Sequence, residues 1–136
     1  MMTPREVYFL ALKNPSEFKK NKYHYESIIA TDCVFSYYYA VNVLNDRFEL
    51  AEKTMTTDSH YSYLYAKFVL KGRFEMGEKT IATHRGYPYF YVRDIINDRF
   101  ELYEYKIPTR KYYFEKYAYN IIKKEEDRLS FYYKFI

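Results

Sequence analysis

Tryptophan is absent from this chain, cysteine occurs once and glycine three times. The lone Cys33 excludes a disulfide scaffold and fits a reducing compartment, where it is expected as a small buried hydrophobe. With glycine confined to Gly72, Gly77 and Gly86, there is no phosphate-binding loop and no G-x-S-x-G nucleophile turn. No apolar run approaches the ~20 residues that a membrane-spanning helix needs. No basic segment leads into an apolar one at the start, so no signal peptide is expected and the location is expected to be cytoplasmic.

Tyrosine is abundant instead. It supplies 20 of 136 residues, and 11 Phe raise the aromatic fraction to 23%. Hydrophobic residues make up 49%, which excludes a disordered polar chain, and the length suits one domain. The net charge of +4 is uneven. Residues 1–104 hold 14 basic and 14 acidic side chains, while residues 105–136 hold 8 and 4.

The chain repeats itself. Asn45-Asp46-Arg47-Phe48-Glu49-Leu50 returns as Lys71-Gly72-Arg73-Phe74-Glu75-Met76 and again as Asn97-Asp98-Arg99-Phe100-Glu101-Leu102, a period of 26. Extending that period gives units 22–47, 48–73, 74–99 and 100–125. The eighteenth position is Tyr39, Tyr65, Tyr91 and Tyr117, and the nineteenth is Ala40, Ala66, Val92 and Ala118. Positions 22 and 23 are aliphatic in every unit, and position 14 holds Phe35, Tyr61, Tyr87 and Tyr113. These offsets share one helical face and predict a long helix ending each unit. Gly72 is expected as the left-handed stop of that helix, with Asp46 and Asp98 in the equivalent turns. The segment opening at Phe48, Phe74 and Phe100 predicts a shorter helix of about eight residues, too short to stand without tertiary packing. It ends near Thr56-Thr57-Asp58, and Pro108 marks the equivalent point of the last unit. Asp58 or Ser59 then caps the next long helix, while Pro88 sits in the first turn of its own.

The expected fold is therefore all-α: a short α-solenoid of helix-turn-helix repeats with capping helices. Residues 1–21 form the first cap, opened by the capping box Thr3-Pro4-Arg5-Glu6, and residues 126–136 form the second, with Leu129, Phe131, Tyr132, Phe135 and Ile136 as shields. Glu26, Glu52, Glu78 and Glu104 recur at one position and are expected to pair structurally with Arg47, Arg73 and Arg99. An exposed pair of that kind contributes roughly 0–1 kcal/mol.

The units resemble a tyrosine- and alanine-rich helical repeat of phage and large-virus proteins, Y-A-Y-x-Y-A-x-x-V-[IL]-x-G-R-[WF]-x-x-A-E. The best match runs Tyr61-Ser62-Tyr63-Leu64-Tyr65-Ala66-Lys67-Phe68-Val69-Leu70-Lys71-Gly72-Arg73-Phe74, followed by Glu78. Asp replaces the turn glycine twice, Phe replaces Trp, and the arginine is lost from the last unit. The resemblance implies a phage or mobile-element origin and a protein acting on a host pathway. It implies no particular chemistry.

No catalytic constellation is visible. His24, His60 and His84 fall at different positions of their units, so stacking does not align them, and no metal or cofactor is expected. The expected function is non-enzymatic binding of a host protein or complex, such as an anti-CRISPR-like inhibitor of a defence assembly. The candidate contacts are Tyr37, Tyr63 and Tyr89 at the sixteenth position, with Lys67, Arg93 and Tyr119 at the twentieth, because Tyr and Arg are favoured interface anchors. The alternative is RNA or single-stranded DNA stacked on the same tyrosine and basic stripe. A third outcome is that these tyrosines pack against neighbouring helices with their hydroxyls at the surface.

Overall fold

The computed structural model describes residues 1–104, 111–122 and 125–134. Among the described residues the structure is all-helical, with no strand. Ile107, Pro108, Phe135 and Ile136, expected in the last short helix and the C-terminal shield, lie outside the described residues.

Helix α1 (Pro4–Lys13) opens with the anticipated capping box: Thr3 Oγ1 accepts the Glu6 amide at 3.2 Å, and Glu6 Oε2 accepts the Thr3 amide at 2.7 Å. A short helix not anticipated from the sequence follows, α2 (Pro15–Lys20). It is capped by Asn14, whose side chain accepts the Glu17 amide. Beyond it, short helices α3 (Lys22–Ile29), α5 (Glu49–Met55), α7 (Glu78–Thr83) and α9 (Glu101–Glu104) alternate with longer ones. The longer ones open as α4 (Cys33–Tyr39), α6 (Ser59–Leu64), α8 (Tyr87–Tyr91) and α10 (Lys111–Asn120), and α11 (Glu125–Lys134) closes the chain. Residues Glu75–Gly77 form a 3-10 turn leading into α7.

The starts of the longer helices are set by one side chain every 26 residues. Asp32 accepts the Phe35 amide at 3.0 Å and Asp58 the Tyr61 amide at 2.9 Å. At the third such place His84 does this instead, its Nδ1 accepting the Gly86 and Tyr87 amides at 3.1 and 3.3 Å.

The helix ends differ from the α-helical expectation. Helices α4, α6 and α8 continue as π-helical segments, Ala40–Leu44, Tyr65–Leu70 and Val92–Ile96. Each segment closes on one carbonyl with a wide turn. Ala40 O accepts the Asn45 and Asp46 amides, and Ala66 O accepts those of Lys71 and Gly72. The left-handed residue is therefore Asn45 (φ 50°), Lys71 (φ 52°) and Asn97 (φ 52°). Gly72, expected to be the left-handed stop, has no positive φ, because the wider turn reverses the chain one residue earlier.

The core follows the repeated positions. Tyr39, Tyr65, Tyr91 and Tyr117 are fully buried, as are Ala40, Ala66, Val92 and Ala118 beside them. A small residue at that site lets the following short helix approach closely. Phe48, Phe74 and Phe100 pack on Tyr39, Tyr65 and Tyr91 with ring centroids 5.0, 5.2 and 5.6 Å apart. Burial of each such ring contributes about 1.5–3 kcal/mol. Ser36 and Ser62, fully buried, donate to the Ile29 and Met55 carbonyls, tying long helices to the short ones before them.

Helix α1 also behaves as a long helix of this series. Its Tyr8 packs on Phe35 at 5.7 Å and accepts a hydrogen bond from Asn42 at 2.9 Å. Tyr37 packs on Tyr61 in the same way, and Tyr63 on Tyr87.

Candidate functional site

The most conspicuous polar feature is a buried relay that recurs with the 26-residue period. The phenols of Tyr39, Tyr65, Tyr91 and Tyr117 donate to Glu26, Glu52, Glu78 and Glu104 at 2.7–2.8 Å. The phenol oxygens of the last three accept the Phe48, Phe74 and Phe100 amides at 3.0, 2.9 and 2.7 Å. Each of those three carboxylates also receives two bonds from an arginine five residues earlier. The donors are Arg47, Arg73 and Arg99, at 2.7–2.9 Å. The anticipated pairing of repeated Glu and Arg is thus present, but it is not an exposed surface pair. Glu52, Glu78 and Glu104 are 5%, 6% and 1% exposed.

Each arginine serves the short helix that follows it, so the natural unit begins at the arginine. Glu26 has no such arginine, since Asn21 occupies the site, and only Lys22 approaches it, at 3.6 Å.

The electrostatics follow from this wiring. Burial acts to raise the Glu52 and Glu104 carboxyls. The bonds from arginine and tyrosine outweigh it and hold both below the ordinary carboxylate range. Burial and the neighbouring carboxylate push the Tyr39 and Tyr91 phenols far up; burial does the same for Tyr65 and Tyr117. The relay is thus a clamp joining two helices and a turn.

The candidate contact residues divide into two groups. Tyr37, Tyr63 and Tyr89 are 9%, 7% and 4% exposed and do not form an open stripe. Their rings fill the seams between successive long helices, on Tyr61, Tyr87 and Tyr113 at 5.7, 5.5 and 5.8 Å. A helical projection places position 16 off the core face, and the neighbouring helix then covers it. Two of the hydroxyls are taken up by the following helix: Tyr63 donates to Asp94 at 2.6 Å, and Tyr89 accepts from Asn120 at 3.2 Å.

Lys67, Arg93 and Tyr119 do reach the surface. Tyr119 is 66% exposed. Lys67 donates to Tyr63 and Asp94 at 3.3 and 3.2 Å, and Arg93 grips Asp94 at 2.6 and 3.0 Å. Asp94 is held well below its ordinary range by Arg93 first, then by Tyr63 and Lys67. Both expected cations therefore share one carboxylate.

Around them lies an outward stripe of the long helices that the repeat analysis did not single out. It carries Phe9, Tyr38 and Phe68 at 37%, 41% and 51% exposure. The signal for Phe68 was present at position 21, which reads Asn42, Phe68, Asp94 and Asn120. In three cases that residue is polar and meets the tyrosine hydroxyl of the preceding helix, at Tyr8, Tyr63 and Tyr89. Phe68 offers no such group to Tyr37 and lies instead under the Lys67 ammonium at 5.2 Å.

Burial pushes the half-buried Cys33 thiol up, aided by Asp58 and Asp32, away from the thiolate form. His60 Nδ1 bonds the Tyr87 hydroxyl. No described helix is long and apolar enough to cross a membrane. Comparison with family models, with curated proteins and with solved structures finds no match for this chain.

Proposed function

We propose that the chain is a non-enzymatic α-solenoid of 26-residue helix pairs that binds a protein partner through the outward stripe of its long helices. The observation that carries this reading is Phe68. Asn42, Asp94 and Asn120 each complete a tyrosine of the preceding helix, whereas Phe68 gives up that bond and exposes half of an aromatic ring. A departure from a locally consistent pattern, without structural compensation, is where function is expected. Tyr38 and Phe9 extend the patch on the two preceding long helices, and clustered exposed aromatics are typical interface anchors.

Glu52, Glu78 and Glu104 support binding over catalysis, since arginine and tyrosine already occupy them. The likeness of the units to phage and large-virus repeats supports a cytoplasmic host partner, such as a defence complex.

Phe68→Asn provides the test, because it restores the repeated polar group while removing the exposed ring. The immobilised protein is expected to retain a stoichiometric protein from a bacterial lysate after nuclease treatment. The Phe68→Asn variant, melting at or above the wild-type temperature, is expected to lose it. No stoichiometric protein, or retention abolished by nuclease, would overturn the proposal.

A further inference from the structure

The stripe has a charge as well as a shape. Along the outward positions of the successive long helices stand Arg5, Lys13, Lys67, Lys71, Arg93 and Lys116. Among the described residues three carboxylates stand beside them: Asp94, which Arg93 and Lys67 already bind, Glu6 next to Arg5, and Glu115 next to Lys116, so the cations remain in excess. Neighbouring long helices are in direct register here, since Lys67 reaches Asp94 on the next one.

The cations are organised by the rings. Arg5 and Lys13 lie 5.4 and 5.6 Å from the centroid of Phe9, Arg93 lies 5.0 Å from Phe90, and Lys116 lies 4.4 Å from Tyr112. Aliphatic surface separates them: Leu12 is 42% exposed, and Val41 and Leu64 are half-buried. A groove of about 470 Å³ beside α1, lined by Met2, Arg5, Glu6, Phe9, Leu10 and Lys13, continues the same combination at the N-terminal end.

We infer that the outward stripe of the long helices docks an acidic protein segment, one that presents carboxylates around apolar side chains. This rests on the proposed partner-binding reading and names the chemistry of the partner. Charge complementarity selects an acidic occupant, and the exposed Phe9, Leu12, Tyr38 and Phe68 select one with apolar side chains. A nucleic acid strand is acidic too, but it needs ring faces free for stacking bases. Here the rings of Phe9 and Phe68 already carry ammonium or guanidinium groups. Leu12 and Val41 also offer a base nothing to stack on.

The test uses the full chain and a fluorescent peptide alternating Glu-Glu with Leu-Phe pairs. A Lys-Lys/Leu-Phe counterpart and an oligothymidylate serve as competing probes, all read by anisotropy. The acidic peptide is expected to bind about tenfold tighter than either, with affinity falling as salt rises. Arg5→Glu/Lys13→Glu/Lys116→Glu is expected to weaken it about tenfold with the melting temperature retained. Should that variant not fold, the triple glutamine replacement is expected to weaken it in the same direction. Equal binding of both peptides, tighter binding of the oligonucleotide, or indifference to the charge changes would overturn the inference. If Phe68→Asn weakens partner capture while the charge changes do not, the acidic occupant falls and the binding surface stands. If neither matters, both fall.

Discussion

Glu52 accepts the phenolic hydrogen of Tyr65 at 2.8 Å, and the same phenol oxygen accepts the Phe48 amide at 3.0 Å. One hydroxyl thus satisfies a buried carboxylate and a buried backbone donor on a different helix from its own. Replacing Tyr65 with Phe keeps the ring, leaves the Phe48 amide unpaired and takes one hydrogen bond from Glu52, which keeps the two from Arg47. Leaving buried polar groups unpaired costs about 1–3 kcal/mol each. Urea unfolding of Tyr65→Phe is expected to show a loss of about 2–4 kcal/mol. The matched control Tyr23→Phe, at a residue 78% exposed, is expected to change almost nothing.

The relay also predicts a stability plateau in pH. Glu52 and Glu104 have folded pKa values below their ordinary value of 4.5, so their contribution is present above that value and is lost as pH falls through the folded one. Tyr39, Tyr65, Tyr91 and Tyr117 are raised above the ordinary phenol value of 10.0, so their contribution is present below it and disappears as pH climbs past it. Urea midpoints are expected to be level from about pH 5 to 9 and to drop on both sides. A midpoint still rising at pH 3, or unchanged at pH 11, would contradict this assignment. Glu52→Gln is expected to flatten the acid limb.

Lys71 occupies a left-handed backbone conformation that Asn45 and Asn97 occupy in the adjacent turns. A side chain with Cβ is disfavoured there by about 1 kcal/mol, least so for asparagine. Lys71→Gly or Lys71→Asn is expected to raise the melting temperature. At Gly72 a Cβ would meet nothing closer than the Leu70 carbonyl oxygen at 3.9 Å, so Gly72→Ala is expected to be neutral or slightly stabilising. The sequence alone suggests the opposite ranking, and thermal melts of the variants decide between them.

Gly77 is held for a different reason. A Cβ there would lie 2.5 and 2.7 Å from Phe74 ring carbons and 3.1 Å from Ser62 Oγ. Phe74 is 3% exposed and has nowhere to go. Alanine is the better helix former, yet Gly77→Ala is expected to destabilise by about 1–3 kcal/mol through overpacking. Chemical denaturation giving no loss would show that the ring can shift.

The periodic part of this architecture was readable in the chain. Tyr39, Tyr65, Tyr91 and Tyr117 recur beside a small residue, and that spacing identifies a helical core face before any coordinates. Asp58 as a cap and Thr3 as the head of a capping box were likewise legible, because capping depends on a few consecutive residues. What a single helix cannot reveal is what its neighbours cover. Tyr37, Tyr63 and Tyr89 look peripheral on a projection and are buried only because the next long helix lies across them. The burial of Glu52 was hidden for the same reason. The π-helical ends had no visible signal, and they moved the left-handed residue from Gly72 to Lys71. The outward aromatic stripe was legible only in part. Lys67, Arg93 and Tyr119 stand out at position 20 of the repeat, while Phe68 reads as one more aromatic in a chain rich in them.

Among the described residues no side-chain hydrogen bond joins positions more than 34 apart, the span from Tyr8 to Asn42. The relay bonds span 13 and 17 positions, and the seam bonds at Tyr63 and Tyr89 span 31. Bonds of this span ask for only modest loop closures on the way to the native state. Each meeting of a short helix with its tyrosine is therefore a place where folding can start, because its partners lie 13 and 17 positions away.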